Sequence, residues 1–501
     1  MSDANLILIV GALLIAGLLA TVAAGRLRVP GLVLFIGLGM AIGSDGTGWI
    51  DFADYELART IGVVALALIL FEGGLTVGFG ELRPVLGASV ALAIAGTLLT
   101  AAITGLAAAW LLGLSLLEGM LLGAIVSATD GAAIFGLLRY SRLRRRVARA
   151  LEGESGLNDP VAVLLVVGLI DWIQLPDYGF GDMVLLLVKQ LAIGLAVGAA
   201  VGWLAVQGLR RAWLGSEAGY VIGTIGAAAV AFGAASSLDG SGFLAVYLAG
   251  LALGSVAIPA ERAVTVFHQG LAQVAQVAMF IVLGLLVFPS QLGEVAVEGT
   301  ALALVLVFLA RPVATFVSTA LTGFTFREQS LLSWAGLRGA VPVVLATFPV
   351  IDGVPGSLDF FNIVFFAVLL STLLQGATFE PFAAALGVTT EEEHARPEPR
   401  AIRPSGGAAQ ILIVRPWQSR DGDAAFPREL LGTAVREQLL SRLDRPGALV
   451  ALADGRYAFT GSILGVGPAS TLQDEARRRL AHARSDPERT WWREVIGALA
   501  R

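Results

Sequence analysis

The chain has 501 residues, of which 56% are hydrophobic and only 15% charged, and its mean hydropathy is +0.79. Soluble domains carry roughly 25% charge, so a soluble enzyme is excluded and a membrane protein is indicated. The net charge of −5 says little by itself, and the absence of cysteine removes disulfides and thiolate metal sites.

Apolar runs of membrane-helix length recur from residue 5 to about residue 387. Thirteen spans are expected, near 5–24, 30–43, 57–75, 84–112, 116–138, 155–175, 182–208, 218–235, 242–258, 267–288, 296–322, 330–350 and 359–387. The first is read as a retained helix, because Met1-Ser2-Asp3 lacks the basic start of a cleaved signal. Basic residues gather in alternate loops: Arg26, Arg28, Arg83, Arg139, Arg142, Arg144, Arg145, Arg146, Arg149, Arg210, Arg211, Arg262 and Arg327. The opposite loops carry Asp45, Asp51, Asp54, Asp171, Asp177, Glu294 and Asp352, with Arg59 as their one base. By the positive-inside rule the N-terminus lies outside and the C-terminus in the cytoplasm.

Ionisable residues inside the spans are candidate functional sites, because a charge at membrane depth is costly unless paired, solvated or used. The third span contributes Glu72, in Phe71-Glu72-Gly73-Gly74, as a candidate on a cation path. In the fifth, Asp130 lies in Ser127-Ala128-Thr129-Asp130-Gly131 with apolar sequence on both sides. Small neighbours there would tolerate an unwound segment whose backbone faces a cation. The alternative is a carboxylate that only compensates helix dipoles.

The sixth span opens with Gly153-Glu154-Ser155-Gly156-Leu157-Asn158-Asp159-Pro160, read as the start of a helix. Asp159 can carry either a proton or a small cation. Ser155 and Asp159 form an i,i+4 pair, and with Asn158 they offer hard oxygen ligands suited to alkali cations. The alternative is a helix-entry cap with acids at a positive N-terminus. Lys189 in the seventh span is expected to snorkel or pair. Arg311 in the eleventh has Glu154 as its natural ion-pair partner. In the twelfth, Gly336-Leu337-Arg338-Gly339-Ala340-Val341-Pro342 indicates a second broken helix, with Arg338 neutralising carbonyl ends or an acid.

Spans 5 and 12 thus each combine a glycine-rich break with a charged residue. If spans 1–6 and 8–13 are repeats joined by span 7, the breaks occupy equivalent places and the repeats are inverted, an arrangement of secondary transporters. The expected fold is an all-α polytopic membrane protein of about 13 helices, with residues 1–388 as the transmembrane domain. A linker over 389–408 and a small cytoplasmic α+β domain over 409–501 follow. In that tail, runs at 410–414 and 448–453 suggest strands, and 471–483 and 491–499 suggest helices.

The ordered motifs Ile69-Leu70-Phe71-Glu72-Gly73-Gly74-Leu75, Ser127-Ala128-Thr129-Asp130, the octapeptide, Met279–Leu285, Ala310-Arg311-Pro312 and Gly336–Pro342 carry a resemblance. The chain resembles bacterial monovalent cation:proton antiporters of the Asn-Asp branch, here Asn158-Asp159, and is most similar to the potassium/proton, cell-volume-regulation type. The resemblance implies that Asp159, Ser155 and the backbone at Thr129 surround the cation. It further implies that Asn158 steadies the site, that Glu154 and Arg311 pair, and that the protein is a homodimer. The implied activity is exchange of K+, or Na+, for H+ by alternating access.

With one titrating carboxylate in the Asn-Asp pair, a 1:1 electroneutral cycle is expected; Glu72, Asp130 or Glu154 would alter it by sharing protons. No cofactor or nucleic-acid partner is expected. A cation channel would need a filter-like loop, which the sequence lacks. Gly179-Phe180-Gly181-Asp182 matches a motif of intramembrane aspartyl proteases but lacks a second deep Asp. No phosphate-binding loop for an ATP-driven pump is present.

Overall fold

The computed structural model describes residues 3–27, 30–131, 134, 143–211, 216–256 and 258–389, together with 400–402, 411–413, 464–465 and Arg477. The chain divides into one unit of residues 1–256 and 262–392 and a second of residues 257–261 and 393–501.

In the first unit the helices are α1 (Asp3–Leu27), α2 (Gly31–Ile42), α3 (Tyr55–Leu82), α4 (Leu86–Ala91), α5 (Thr97–Leu112), α6 (Leu116–Ile125), α7 (Arg145–Gln174), α8 (Phe180–Arg211), α9 (Glu217–Ser237), α10 (Gly242–Gly254), α11 (Glu261–Leu285), α12 (Pro289–Leu292), α13 (Ala296–Val305), α14 (Arg311–Thr319), α15 (Phe326–Trp334), α16 (Ala340–Ile351) and α17 (Ser357–Leu386). Among the described residues, 8 helices are long and apolar enough to cross a membrane, and α2, α6, α10 and α16 are shorter apolar helices. Outward faces such as Ile7, Leu18, Trp110, Leu185, Trp203 and Ile222 are apolar and exposed, as a lipid-facing surface requires.

Spans 5 and 12 are built alike. Helix α6 starts at a capping box of Ser115 and Glu118, and α15 at one of Thr325 and Glu328. Each helix stops early, at Ile125 and Trp334, and a turn and a short irregular segment follow before helix resumes at Gly131 and Ala340. The preceding spans match too, with single π-helical turns at Leu92–Gly96 and Leu306–Ala310. These paired irregularities fit the two-repeat arrangement read from the glycine-rich breaks, although neither π turn had a sequence signal.

The two breaks meet. Asp130 N–H donates to the Leu337 carbonyl at 2.9 Å, and Ala340 N–H donates to Asp130 Oδ2 at 3.3 Å. From the side, α17 holds the second break: Gln375 Nε2 donates to the Trp334 carbonyl at 3.0 Å, and Thr372 donates to the Arg338 carbonyl. Glycines set the approach of α10 to α3. A Cβ on Gly74 would lie 2.4 Å from the Tyr247 carbonyl oxygen, and one on Gly250 would lie 2.4 Å from that of Phe71.

The sixth span departs from expectation. Helix α7 begins at Arg145, so the octapeptide lies inside a 30-residue helix and is not its entry. Arg145, Arg146 and Arg149 therefore belong to helix and not to a loop. The turn is stable because these arginines find partners: Arg146 donates to the carbonyls of Thr322 and Gly323, and Arg145 and Arg149 to Glu81. This excludes the helix-entry cap. Lys189 pairs with Asp239 at 3.3 Å, as expected.

The second unit has a three-stranded antiparallel sheet of β1 (Arg400–Ile402), β2 (Ile411–Ile413) and β3 (Leu464–Gly465) in the order β1-β2-β3. Strand β2 falls in the expected run 410–414. Strand β1 falls in the segment read as linker, because Ala401 and Ile402 pair with Leu412 and Ile411. The expected strand at 448–453 and helix at 491–499 lie outside the described residues, as does the expected helix at 471–483 apart from Arg477.

Candidate functional site

Helix α7 carries the centre of the site on two faces. Ser155 and Asp159 share one stripe, and Glu154 lies about 100° around the helix axis from Ser155. Asp159 is completely buried, and neither carboxylate oxygen has a hydrogen-bond partner. A buried ionised carboxylate without donors is strongly disfavoured, so this one requires a proton or a cation.

Three oxygen-bearing side chains gather beside it from α7 and the first break. The Thr129 and Ser155 hydroxyls are 3.4 Å apart, and Asn158 Nδ2 donates to Thr129 Oγ1 at 2.5 Å. All three residues are buried, and Asn158 Oδ1 has no donor. Asn158 thereby ties the helix to the break. The resulting site contains hydroxyl, amide and carboxylate oxygens, hard ligands of the kind alkali cations take. Among the described residues no cluster of three or more His, Cys, Asp or Glu could hold a metal ion.

Asp130 serves the break itself. Its carboxylate accepts the N–H of Ala340, the first residue of α16, where a negative charge meets the positive end of a helix. That is the dipole-compensating alternative left open by the sequence. A Cβ on Gly339 would lie 1.6 Å from Asp130 Oδ2 and 2.4 Å from its Cγ. Gly339→Ala is expected to dislodge Asp130 and cost about 1–3 kcal/mol of stability. Thermal unfolding in detergent checks this, and an unchanged melting temperature would refute the tight crossing.

Glu154 and Arg311 form a bidentate pair, with Nη1 to Oε1 at 2.5 Å and Nη2 to Oε2 at 2.8 Å. Arg311 Nη2 also donates to the Leu332 carbonyl at 3.2 Å. Gly336 makes the room: a Cβ there would sit 2.4 Å from Arg311 Nε. The glycines of the twelfth-span motif thus each receive a charged side chain from another element, Arg311 at Gly336 and Asp130 at Gly339.

One expectation changes. Arg338 is fully buried, yet none of its three guanidinium nitrogens has a hydrogen-bond partner, so it neutralises neither an acid nor carbonyl ends by direct contact. Burial among the residues that shape the break overrides direct pairing. Glu72 accepts from Thr76, one turn along α3, at 2.8 Å. Thr372 and Gln375 were missed by sequence reasoning. Their signal was polar residues at i,i+3 within the apolar run 359–387.

Residues 10–385 match the family model described as sodium/hydrogen exchanger, transmembrane. The chain belongs to this family. It is 39% identical over 423 residues to the K(+)/H(+) antiporter NhaP2 of Shewanella baltica, covering 83% of this chain and 72% of that one. It is 41% identical over 391 residues to the K(+)/H(+) antiporter NhaP of Alkalimonas amylolytica, covering 77% and 68%. The sodium proton antiporter MjNhaP1 of Methanocaldococcus jannaschii at pH 8 is similar in structure, with a TM-score of 0.66 at 25% identity over 77% of this chain and 99% of that one. The chain is therefore a multi-pass membrane protein of an antiporter family, and its paired breaks lie within the matched region.

Proposed function

We propose that the chain exchanges a monovalent cation for protons across the membrane by alternating access, with K+ the favoured cation and Na+ the second. The observation that carries this reading is Asp159: a buried carboxylate without donors, beside the oxygens of Thr129, Ser155 and Asn158. The cation is the substrate, held by Asp159, Ser155 and Thr129. A proton on Asp159 satisfies the same need for neutralisation, so the two compete for one group. Asn158 positions Thr129, Asp130 holds the crossing of the breaks, and Glu154 with Arg311 and Arg338 sets the charge balance behind the site. Glu72 is a candidate on the cation path. The names of the relatives favour K+.

In this reading the protein is a homodimer in the bacterial cytoplasmic membrane, with its N-terminus outside and its C-terminus inside. Residues 1–388 transport, 389–408 link, and 409–501 form a cytoplasmic regulatory domain. The test is ATP-free exchange in proteoliposomes under imposed K+, Na+ and Rb+ gradients with internal pH followed. A channel would instead pass current without moving protons.

Stoichiometry is a separate expectation. Asn158 does not ionise, so one proton leaves as one cation enters and the cycle moves no net charge. Each unit charge moved would be worth about 2.3 kcal/mol per 100 mV, so an imposed potential is expected to leave the exchange rate unchanged. A rate that tracks voltage would show that a second acid, Asp130 or Glu72, shares the protons.

A further inference from the structure

Along α7, Arg145, Arg149, Glu152, Gly156 and Asp159 follow a four-three-four-three spacing and share one face of the helix. At its arginine end the face is polar: Arg149 donates to Glu152 at 2.5 Å and to Glu81 of α3 at 3.2 Å, and Arg145 donates to Glu81 at 2.9 Å. Asp159 lies two turns beyond Glu152, about 10 Å along the axis. Gly156 is between them, and the Tyr247 ring of α10 lies against it. A Cβ on Gly156 would be 2.3 Å from Tyr247 Cε2 and 2.4 Å from its Cζ. The ring is wholly buried and its hydroxyl has no hydrogen-bond partner, while Glu152 lies one turn from Gly156 on the same face.

We propose that Tyr247 is the gate between the buried carboxylate and the Glu81–Arg149–Glu152 cluster, which forms the mouth of the ion path at that end of α7. This inference rests on Asp159 as the exchange site. In the closed position the ring covers the Gly156 backbone and separates Asp159 from Glu152. That position leaves a buried donor unsatisfied, an unfavourable condition. Rotation toward Glu152 lets the hydroxyl donate to the carboxylate and uncovers the one position on the stripe without a side chain. A cation that enters past the Glu81–Arg149–Glu152 cluster then reaches Asp159 past bare backbone. Gly156 is required in both positions, since any side chain there would collide with the ring or block the lane. Tyr247 acts here as a positioning and access residue and does not touch the cation in the closed state.

The chain contains no cysteine, so Ser155→Cys introduces a single thiol beside Asp159. Its alkylation by a charged methanethiosulfonate is measured in sealed vesicles with the Arg145 end of α7 facing the reagent. With Tyr247 intact the thiol is expected to react slowly. Adding Tyr247→Ala is expected to speed the reaction about tenfold or more, and Tyr247→Phe, which closes but cannot bond Glu152, to slow it about fivefold. A Tyr247→Ala rate equal to the parent's, in protein that elutes as a folded species, overturns the gate. Where Tyr247→Ala yields no folded protein, Tyr247→Phe decides alone, and an unchanged rate overturns the proposal. Thiol labelling does not depend on transport, so its failure is distinct from failure of the site. Exchange that survives Asp159→Asn would refute the site whatever the labelling shows.

Discussion

Asp159→Asn is expected to abolish exchange while leaving as much folded protein as the parent chain. The carboxylate makes no hydrogen bond that the amide would lose, and its surroundings are fully buried. Removing the need to bury a charge there relieves the fold, so the melting temperature is expected to hold or rise. Transport fares differently. A unit charge about 4 Å from a cation is worth about 4 kcal/mol at an effective dielectric of 20, or about a thousandfold in binding. The hydroxyls of Thr129 and Ser155 cannot replace that attraction, and an amide cannot carry the proton. Exchange is measured in proteoliposomes and folding by thermal unfolding of the same preparation. Proton-coupled transport at even a tenth of the parent rate would sink Asp159 as the exchanging group. Asp159→Glu keeps the charge but displaces it by one methylene, so reduced exchange with a changed apparent cation affinity is expected.

Much of this arrangement was legible because membrane burial makes polar residues conspicuous. Asp159, Glu154 and Arg311 stood out from apolar runs, and the pairing of the last two followed from the cost of leaving either alone. The breaks were legible through their glycines, but the reason for those glycines was not. Gly336 and Gly339 admit Arg311 and Asp130, contacts that depend on how two distant spans cross. The start of α7 was misread because a run of arginines resembles a cytoplasmic loop; only the carbonyls and acids that receive them reveal a helix. Arg338 was expected to have a partner on general grounds of cost, and its lack of one is a property of tertiary packing. Tyr247 gave no signal at all, being one aromatic among the apolar residues of 242–258.

Loss of the Glu154–Arg311 pair is expected to act mainly on stability, and unequally for its two members. Both side chains are buried, so removing either strands the other at about 3–5 kcal/mol. Glu154→Gln is the more severe change, since it leaves Arg311 and Arg338 as two buried guanidinium groups of like charge without their acid. Arg311→Gln leaves Glu154 and Arg338, one buried charge of each sign, and the two attract each other. Glu154→Gln is therefore expected to lower the melting temperature further than Arg311→Gln, and both are expected to change cation preference little. The double variant removes both charges and is expected to be less impaired than the sum of the singles. Thermal unfolding of the three variants, with competition between K+ and Na+ in those that fold, supplies the comparison. Additive losses would mean that the two residues do not stabilise each other. Equal losses in the two singles would mean that the charge of Arg338 does not offset the loss of Arg311.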